Sequence, residues 1–455
     1  MKVVICGCGH VGSSIASYLF NEGHQVSVID ADAEKLKKIE TSMDIQVIQG
    51  IASSPEVLDS AGAADADLII AVTPSDEVNM IICLEASRLF NIPLKIARIR
   101  SGYYSNQGYL PLFDDLHIDV VISPEKEVAR TILRNLKTPG ALEFLPLPDG
   151  SVFIGTRCIS GSDLERKKAL NLNKKFPEFQ VSVSAIVRNN QRLTLDDKAI
   201  FKADDEVYFI TDMKHYDSVL EAFGHPTNRA NKVVIVGGGR IGLILAKMME
   251  LEGIASHLSI IEQKENKALY LAKHLSEALV IKGDAMDEAI LDEANIKKAD
   301  AMICLTDEDE DNILLSLLAK QHGVKRTFSL INKDIYNHML SNLGLDIIVN
   351  PNIIATSTIL QHIRKGQVRS IYSLKSQLGD LMAFEVLETS KIAGMKLNKI
   401  KKPKNVEICS VIRNSQLLDI NENLEIKSAD TVIVLAPSGQ FKAVEKLFSA
   451  GLFFF

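Results

Sequence analysis

Residues 3–12 read VVICGCGHVG, and residues 233–242 read VVIVGGGRIG. In each, a β-branched run enters a turn of the form Gly-x-Gly-x-x-Gly and a helical pattern follows. The first glycine of such a turn permits a tight bend. The second lets the backbone approach a pyrophosphate, and the third lets the helix pack closely on the sheet. The helix N-terminus then turns free amides and the positive end of its dipole toward the phosphates. Each copy also carries an acid at the end of its next strand, Asp30 and Glu262, where a carboxylate accepts from ribose hydroxyls. One such glycine turn is weak evidence. Two, each with a strand before, a helix after and a correctly spaced acid, mark Gly7, Cys8, Gly9, His10, Val11 and Gly12, and Gly237, Gly238, Gly239, Arg240, Ile241 and Gly242, as paired nucleotide loops.

The likeness extends far beyond the loops. VIQGIASSPEVLDSAGAADADLIIAVTPSDEVN (47–79) returns as VIKGDAMDEAILDEANIKKADAMICLTDEDEDN (280–312), and AIVRNNQRLTLDDKAIFKADDEVYFIT (185–211) returns as SVIRNSQLLDINENLEIKSADTVIVLA (410–436). The offset is 230 residues at Gly7 and Gly237, 233 at the second segment and 225 at the third, so half the chain is duplicated as one unit. Within each half, short β-branched runs first alternate with helical stretches, the pattern of βαβ units in a doubly wound parallel sheet. Short strands with turn signals such as Asp149-Gly150 follow, closed by one helix. The predicted fold class is α/β: a Rossmann-like domain over 1–138, a small α+β domain over 139–224, a linker over 225–231, a second Rossmann-like domain over 232–366 and a second small domain over 367–455.

Composition narrows the function classes. Fifty-one Lys and Arg against 58 Asp and Glu leave a net charge of −7, which argues against nucleic acid or bare anionic lipid as the partner. No apolar run approaches the ~18 residues that would span a bilayer, and the N-terminus enters the glycine turn without a leader-like segment. Cys6, Cys83, Cys158, Cys304 and Cys409 sit in apolar runs and Cys8 in the turn, the pattern of reduced thiols in a cytosolic protein. Cys6 and Cys8 have no second Cys or His pair at zinc-ligand spacing, so no metal is expected. Neither small domain carries a nucleophile motif or a carboxylate pair, and the ten histidines do not cluster, so the chain reads as a binding protein rather than an enzyme.

The two acids favour a free ribose 2′-hydroxyl over a 2′-phosphate, which selects NAD(H) over NADP(H). ADP or ATP satisfies the same contacts. A further repeated motif, Thr73-Pro-Ser-Asp-Glu-Val-Asn79 and Thr306-Asp-Glu-Asp-Glu-Asp-Asn312, follows the fourth strand, at the sheet end where ligands bind. Its threonine hydroxyls are expected to meet the ligand, and Asp76 and Glu77 to cap the next helix.

With the doubled glycine loop, the Thr-x-x-Asp-Glu-x-Asn motif and the small closing modules, the whole chain resembles the TrkA family. Its members are cytosolic nucleotide-binding subunits of bacterial Trk potassium uptake, built from RCK/KTN Rossmann domains each followed by a TrkA-C domain. The resemblance implies binding of NAD(H) and adenine nucleotides, a homotetrameric ring and peripheral placement beneath an integral-membrane potassium channel subunit. It implies Arg98 as a phosphate partner beside Thr73 in the first site, and Asp284 with Thr306 in the second. Two positions depart from the family pattern: Gly283-Asp284 becomes Gly50-Ile51 in the first half, and residue counting places Ser329 opposite Arg98, with Arg326 nearby. The sites are therefore expected to differ, the first being better suited to a phosphate-rich ligand. An NAD-dependent oxidoreductase and a nucleotide-sensing subunit of another cation transporter are the alternatives. The final residues, Gly451-Leu-Phe-Phe-Phe455, either fold back on their own module or dock on a partner.

Overall fold

Alternation along the first strand, Lys2–Cys6, shows why the first sheet is covered on both sides. Val3 and Ile5 pack in one apolar cluster and Val4 and Cys6 in another, so all four are buried. In the computed structural model, which describes residues 1–100, 110–170, 172, 180–196, 198–225, 230–333, 343–363, 368–374, 378–418 and 420–449, this strand is the centre of a doubly wound sheet. Strands β1 (Lys2–Cys6), β2 (Gln25–Asp30), β3 (Gln46–Gln49), β4 (Leu68–Ala71), β5 (Leu94–Arg98) and β6 (Val120–Ile122) run parallel in the order β3-β2-β1-β4-β5-β6. Helices α1 (His10–Asn21), α2 (Ala33–Ser42), α3 (Pro55–Ser60), α4 (Asp76–Arg88) and α5 (Leu110–Asp115) connect them, and α6 (Pro124–Lys137) follows. Successive strands are added in one direction up to β3 and in the other from β4, so the strand order switches between β1 and β4, which opens a crevice at their C-terminal ends.

A five-stranded antiparallel sheet comes next, of β7 (Ala141–Pro146), β8 (Ser151–Arg157), β9 (Ser182–Arg188), β10 (Gln191–Arg192) and β11 (Glu206–Asp212), closed by α7 (Tyr216–Ala222). The second half repeats both layers. Strands β12 (Lys232–Val236), β13 (His257–Glu262), β14 (Leu279–Lys282), β15 (Ala301–Cys304), β16 (Arg326–Leu330) and β17 (Ile347–Val349) take the order β14-β13-β12-β15-β16-β17. Their helices are α8 (Arg240–Glu252), α9 (Glu265–His274), α10 (Glu288–Glu293), α11 (Asp309–Gln321) and α12 (Pro351–Ile363). The last sheet holds β18 (Val368–Ser373), β19 (Asp380–Glu385), β20 (Glu407–Arg413), β21 (Gln416–Leu418) and β22 (Thr431–Ala436), with α13 (Phe441–Phe448) behind it. Of the expected linker, residues 226–229 lie outside the described residues, as does the terminal 450–455.

The halves are joined by an exchange of helices. The sequence assigns residues 124–137 to the first sheet domain, yet Val128, Ala129, Ile132, Leu133 and Leu136 of α6 share a core with Val233, Ile235, Leu245 and Met249 of the second. In return, Ala355, Ile359 and Leu360 of α12 pack with Val3, Ile5, Ile15 and Leu19 of the first. Burying a side chain of this size stabilises by about 1.5–3 kcal/mol. Four on one helix therefore approach the whole stability of an ordinary domain, roughly 5–15 kcal/mol. Arg326, at the start of β16, closes the end of α6 from the other half: its Nη2 donates to the carbonyls of Asn135 at 2.7 Å and Thr138 at 3.4 Å. A helix C-terminus otherwise leaves such carbonyls without partners.

The small domains also meet face to face. Phe153, Tyr208 and Ile210 share a core with Leu381, Ile433 and Leu435, and Ser182 Oγ donates to the Cys409 carbonyl at 2.6 Å. Each module fixes its hairpin by the same buried pair: Arg188 Nε to Asp205 at 2.6 Å, and Arg413 Nε to Asp430 at 2.7 Å. Because α6 belongs to the core of the opposite half, Ile132→Ala should destabilise by about 2–5 kcal/mol. Hydrogen exchange should show the added opening in β12 and β13 of the second half; exchange raised only in the first half would contradict the helix exchange.

Candidate nucleotide sites

The glycine loops are set by steric need. Gly7 has φ +109°, and a Cβ there would lie 3.0 Å from the backbone of Val72 and Thr73. At Gly12 a Cβ would fall 1.9 Å from the Gly7 carbonyl oxygen, and at Gly242 it would fall 2.2 Å from that of Gly237. Gly9 and Gly239 instead face open space, with no atom within 4 Å of a built Cβ. The loop is therefore closed against the protein at its first and last glycines and open at the middle one, where α1 or α8 begins. Amides of a first helical turn have no partner within the helix, so the opening holds an electropositive surface suited to phosphate.

The two acids brace these loops. Asp30 accepts from the amide of Cys8 at 2.5 Å and of Asp32 at 2.9 Å. Glu262 accepts from Gly238 at 2.8 Å and Lys264 at 2.8 Å. Their exposure differs: Asp30 is half-buried, while Glu262 is only 6% exposed, drawn under its loop.

Thr73 and Thr306 sit at the mouth of the crevice, but their hydroxyls do not point outward as expected. Thr73 Oγ1 donates to Asn79 Oδ1 at 2.7 Å and Thr306 Oγ1 to Asn312 Oδ1 at 2.9 Å. Asn79 is fully buried. Its Nδ2 donates to the carbonyls of Thr73 at 3.2 Å and Arg98 at 2.8 Å, tying the ends of β4 and β5 together, and Asn312 does the same with Thr306 and Leu330. Asp76 and Glu77 stand in the first turn of α4 as expected of its acids, but the side-chain cap comes from the residue before them. Ser75 caps α4 by accepting from Val78 N, whereas Asp76 turns to accept from Arg100 N at 2.9 Å. Asp309 likewise accepts from Asn332 N at 2.9 Å and Lys333 N at 2.8 Å. The asparagines and buried aspartates were visible in the repeated motif, but their role as ties between strands needed the fold.

Arg98 lies in the first crevice, 8% exposed, with Nη2 donating to the Thr73 carbonyl at 2.8 Å. Burial lowers its guanidinium to about 10; Arg100 and Arg240 add to the shift, and Glu125 and Asp76 oppose it. It stays charged at neutral pH.

The match of Ser329 to Arg98 is corrected by the ladder. Ala71 pairs with Ala97 and Cys304 with Ser329, so Ser329 stands where Ala97 does, and Leu330 replaces Arg98. Ser329 is fully buried against α11, its hydroxyl 2.7 Å from that of Ser316, and Leu330 is 6% exposed. Arg326 does not substitute, because it lies at the other end of the strand on α6. At the edge beyond the ribose acids, Ile51 is 68% exposed, while Asp284 accepts from Gln263 Nε2 at 3.2 Å and from Met286 N at 2.9 Å.

Comparison with known proteins gives these loops a family. The TrkA-N domain matches residues 3–124 and 233–351, and the TrkA-C domain matches 381–449. The chain is 37% identical to the Trk system potassium uptake protein TrkA of Azorhizobium caulinodans and 34% identical to that of Halomonas elongata, each over all of both chains. The chain belongs to the TrkA family. Among solved structures, the GsuK RCK domain has a TM-score of 0.62 at 17% identity, over 98% of this chain and 94% of that one. The GsuK channel bound to NAD superposes with TM-score 0.62 at 16% identity, over 98% of this chain and 78% of that one. These likenesses establish the RCK-like fold. The TrkA-family match and the fold agree that the chain carries two such units.

Removing the tie at Asn79 by Asn79→Ala leaves buried carbonyl and amide groups unpaired and should cost about 1–3 kcal/mol. Urea unfolding is the measure, with Asn312→Ala expected to match it. No loss at either position would mean water replaces the side chain.

Proposed function

We propose that this chain is the nucleotide-binding regulatory subunit of a Trk-type potassium uptake system, acting on an integral-membrane channel subunit rather than catalysing a reaction. The observation that carries the proposal is the pair of braced glycine loops in a chain that matches Trk potassium uptake proteins over its full length. NAD(H), ADP or ATP would lie across the sheet ends, with phosphates at the N-termini of α1 and α8 and ribose at Asp30 and Glu262. Support for nucleotide as ligand includes the solved GsuK structures bound to NAD and to ADP. No helix among the described residues is long and apolar enough to cross a membrane, so ion passage would belong to the partner, with this chain at its cytosolic face.

The packing suggests how binding acts at a distance. Helix α1 meets phosphate at one end and packs along its flank on α12, the helix sent across from the second half. Helix α8 packs in the same way on α6. A ligand that draws α1 or α8 toward its phosphates therefore favours one arrangement of the halves, by the difference in its affinity for the two arrangements. For a homotetrameric ring, the faces we favour are α4 and α11, where Ile81 and Leu314 stand 43% and 52% exposed at matching positions of the two halves.

Calorimetry on the full chain should find two sites for NADH. Asp30→Ala should weaken the first by about 1–3 kcal/mol as a lost charge-assisted bond. In proteoliposomes holding the membrane partner and this chain, potassium flux should change on adding NADH or ATP, while NADH absorbance stays constant. Flux indifferent to every nucleotide would defeat the regulatory reading, and steady NADH consumption with an added substrate would favour an oxidoreductase. Paired Ile81→Glu and Leu314→Glu substitutions should reduce the assembly to a smaller species in light scattering.

A further inference from the structure

The ribose edges of the two loops differ in charge although they share one backbone. After its acid, the first half reads Asp30-Ala31-Asp32, and the ladder sets Gln49 of β3 beside Asp30. The second half reads Glu262-Gln263-Lys264, and the ladder sets Lys282 of β14 beside Glu262. Counting the residue at the base edge as well, the first set (Asp30, Asp32, Gln49, Ile51) carries two negative charges and no positive one. The second (Glu262, Lys264, Lys282, Asp284) carries two of each. Neighbouring strands lie about 4.8 Å apart, so a lysine at the register position of Gln49 reaches whatever stands on the ribose.

Three further features agree with the charge count. Glu262 is withdrawn to 6% exposure, whereas Asp30, braced by the same pair of amide contacts, is only half-buried. In the first half Asp32 caps α2 by accepting from Glu34 N at 3.0 Å and Lys35 N at 3.4 Å, and Lys35 pairs with it at 3.5 Å. In the second half Lys264 occupies the cap position of α9 and makes no side-chain cap, so the helix start beside the ribose is left to an incoming anion. Lys264 and Lys282 are exposed.

We infer that the second site is selective for a nucleotide whose adenosine ribose carries a 2′-phosphate, the NADP(H) class, with Lys264 and Lys282 as the residues that decide it. The first site takes the unphosphorylated ribose. The acid at the end of the second strand thus predicts specificity only where it stays exposed and without lysine neighbours. This deepens the proposed function and rests on its reading that both loops bind nucleotide.

The probes are NADH and NADPH, titrated calorimetrically into the full-length chain. NADPH should fill one site per chain. Exchanging the second edge for its first-half counterpart, Lys264→Asp with Lys282→Gln, should weaken NADPH at least tenfold and leave NADH at the first site within threefold. Both positions are exposed, so the fold should be kept, and circular dichroism checks it. The reverse exchange, Asp32→Lys with Gln49→Lys, should create a second NADPH site. NADH binding with no NADPH binding overturns the inference and leaves the nucleotide reading intact. So does NADPH binding that ignores both exchanges. Failure of either dinucleotide to bind the folded chain overturns the nucleotide reading for these cofactors, and this inference with it.

Discussion

Burial of α6 and α12, each in the core of the opposite half, is the constraint on which the rest of the molecule depends. Neither sheet completes its own apolar layer: the first takes Ala355, Ile359 and Leu360 from the second half, and the second takes Val128, Ile132 and Leu133 from the first. Close packing transmits displacement because interiors have little free volume. The glycine loops open at the starts of α1 and α8, the helices against which the exchanged ones rest, so a glycine loop and an inter-half contact share one rigid rod.

A second consequence of the exchange is that residues serve unlike ends in the two halves. Position 326 carries an arginine that closes α6, while the matching Leu94 in the first half is an ordinary strand residue. Position 98 carries a charged group in the first crevice, and its counterpart Leu330 is apolar. The repeat is thus a shared backbone with separately chosen side chains. The first crevice holds Arg98 beside Thr73, and the second half carries Lys264 and Lys282 next to Glu262.

Much of this was legible from local rules. The first and last glycines of each loop are imposed by a positive φ or by a Cβ clash, so their spacing identifies the strand-turn-helix, and the acids followed by counting. What stayed hidden depended on partners far along the chain. The apolar stripe of α6 reveals a buried face but not the core that receives it. Counting residues put Ser329 opposite Arg98, and the ladder moved the match by one; in a strand that shift turns a side chain to the other face of the sheet. The threonine hydroxyls looked free for a ligand because the competing acceptor, the oxygen of Asn79 or Asn312, lies six residues later on the next helix.

Covalent linkage of the halves also bears on inheritance. In a pair made of two identical chains, every codon change alters both crevices at once, and a gain in one is tied to a loss in the other. Here each crevice has its own codons, while the exchanged helices keep the pair together as though it were one dimer. Divergence at one crevice can proceed without disturbing its neighbour.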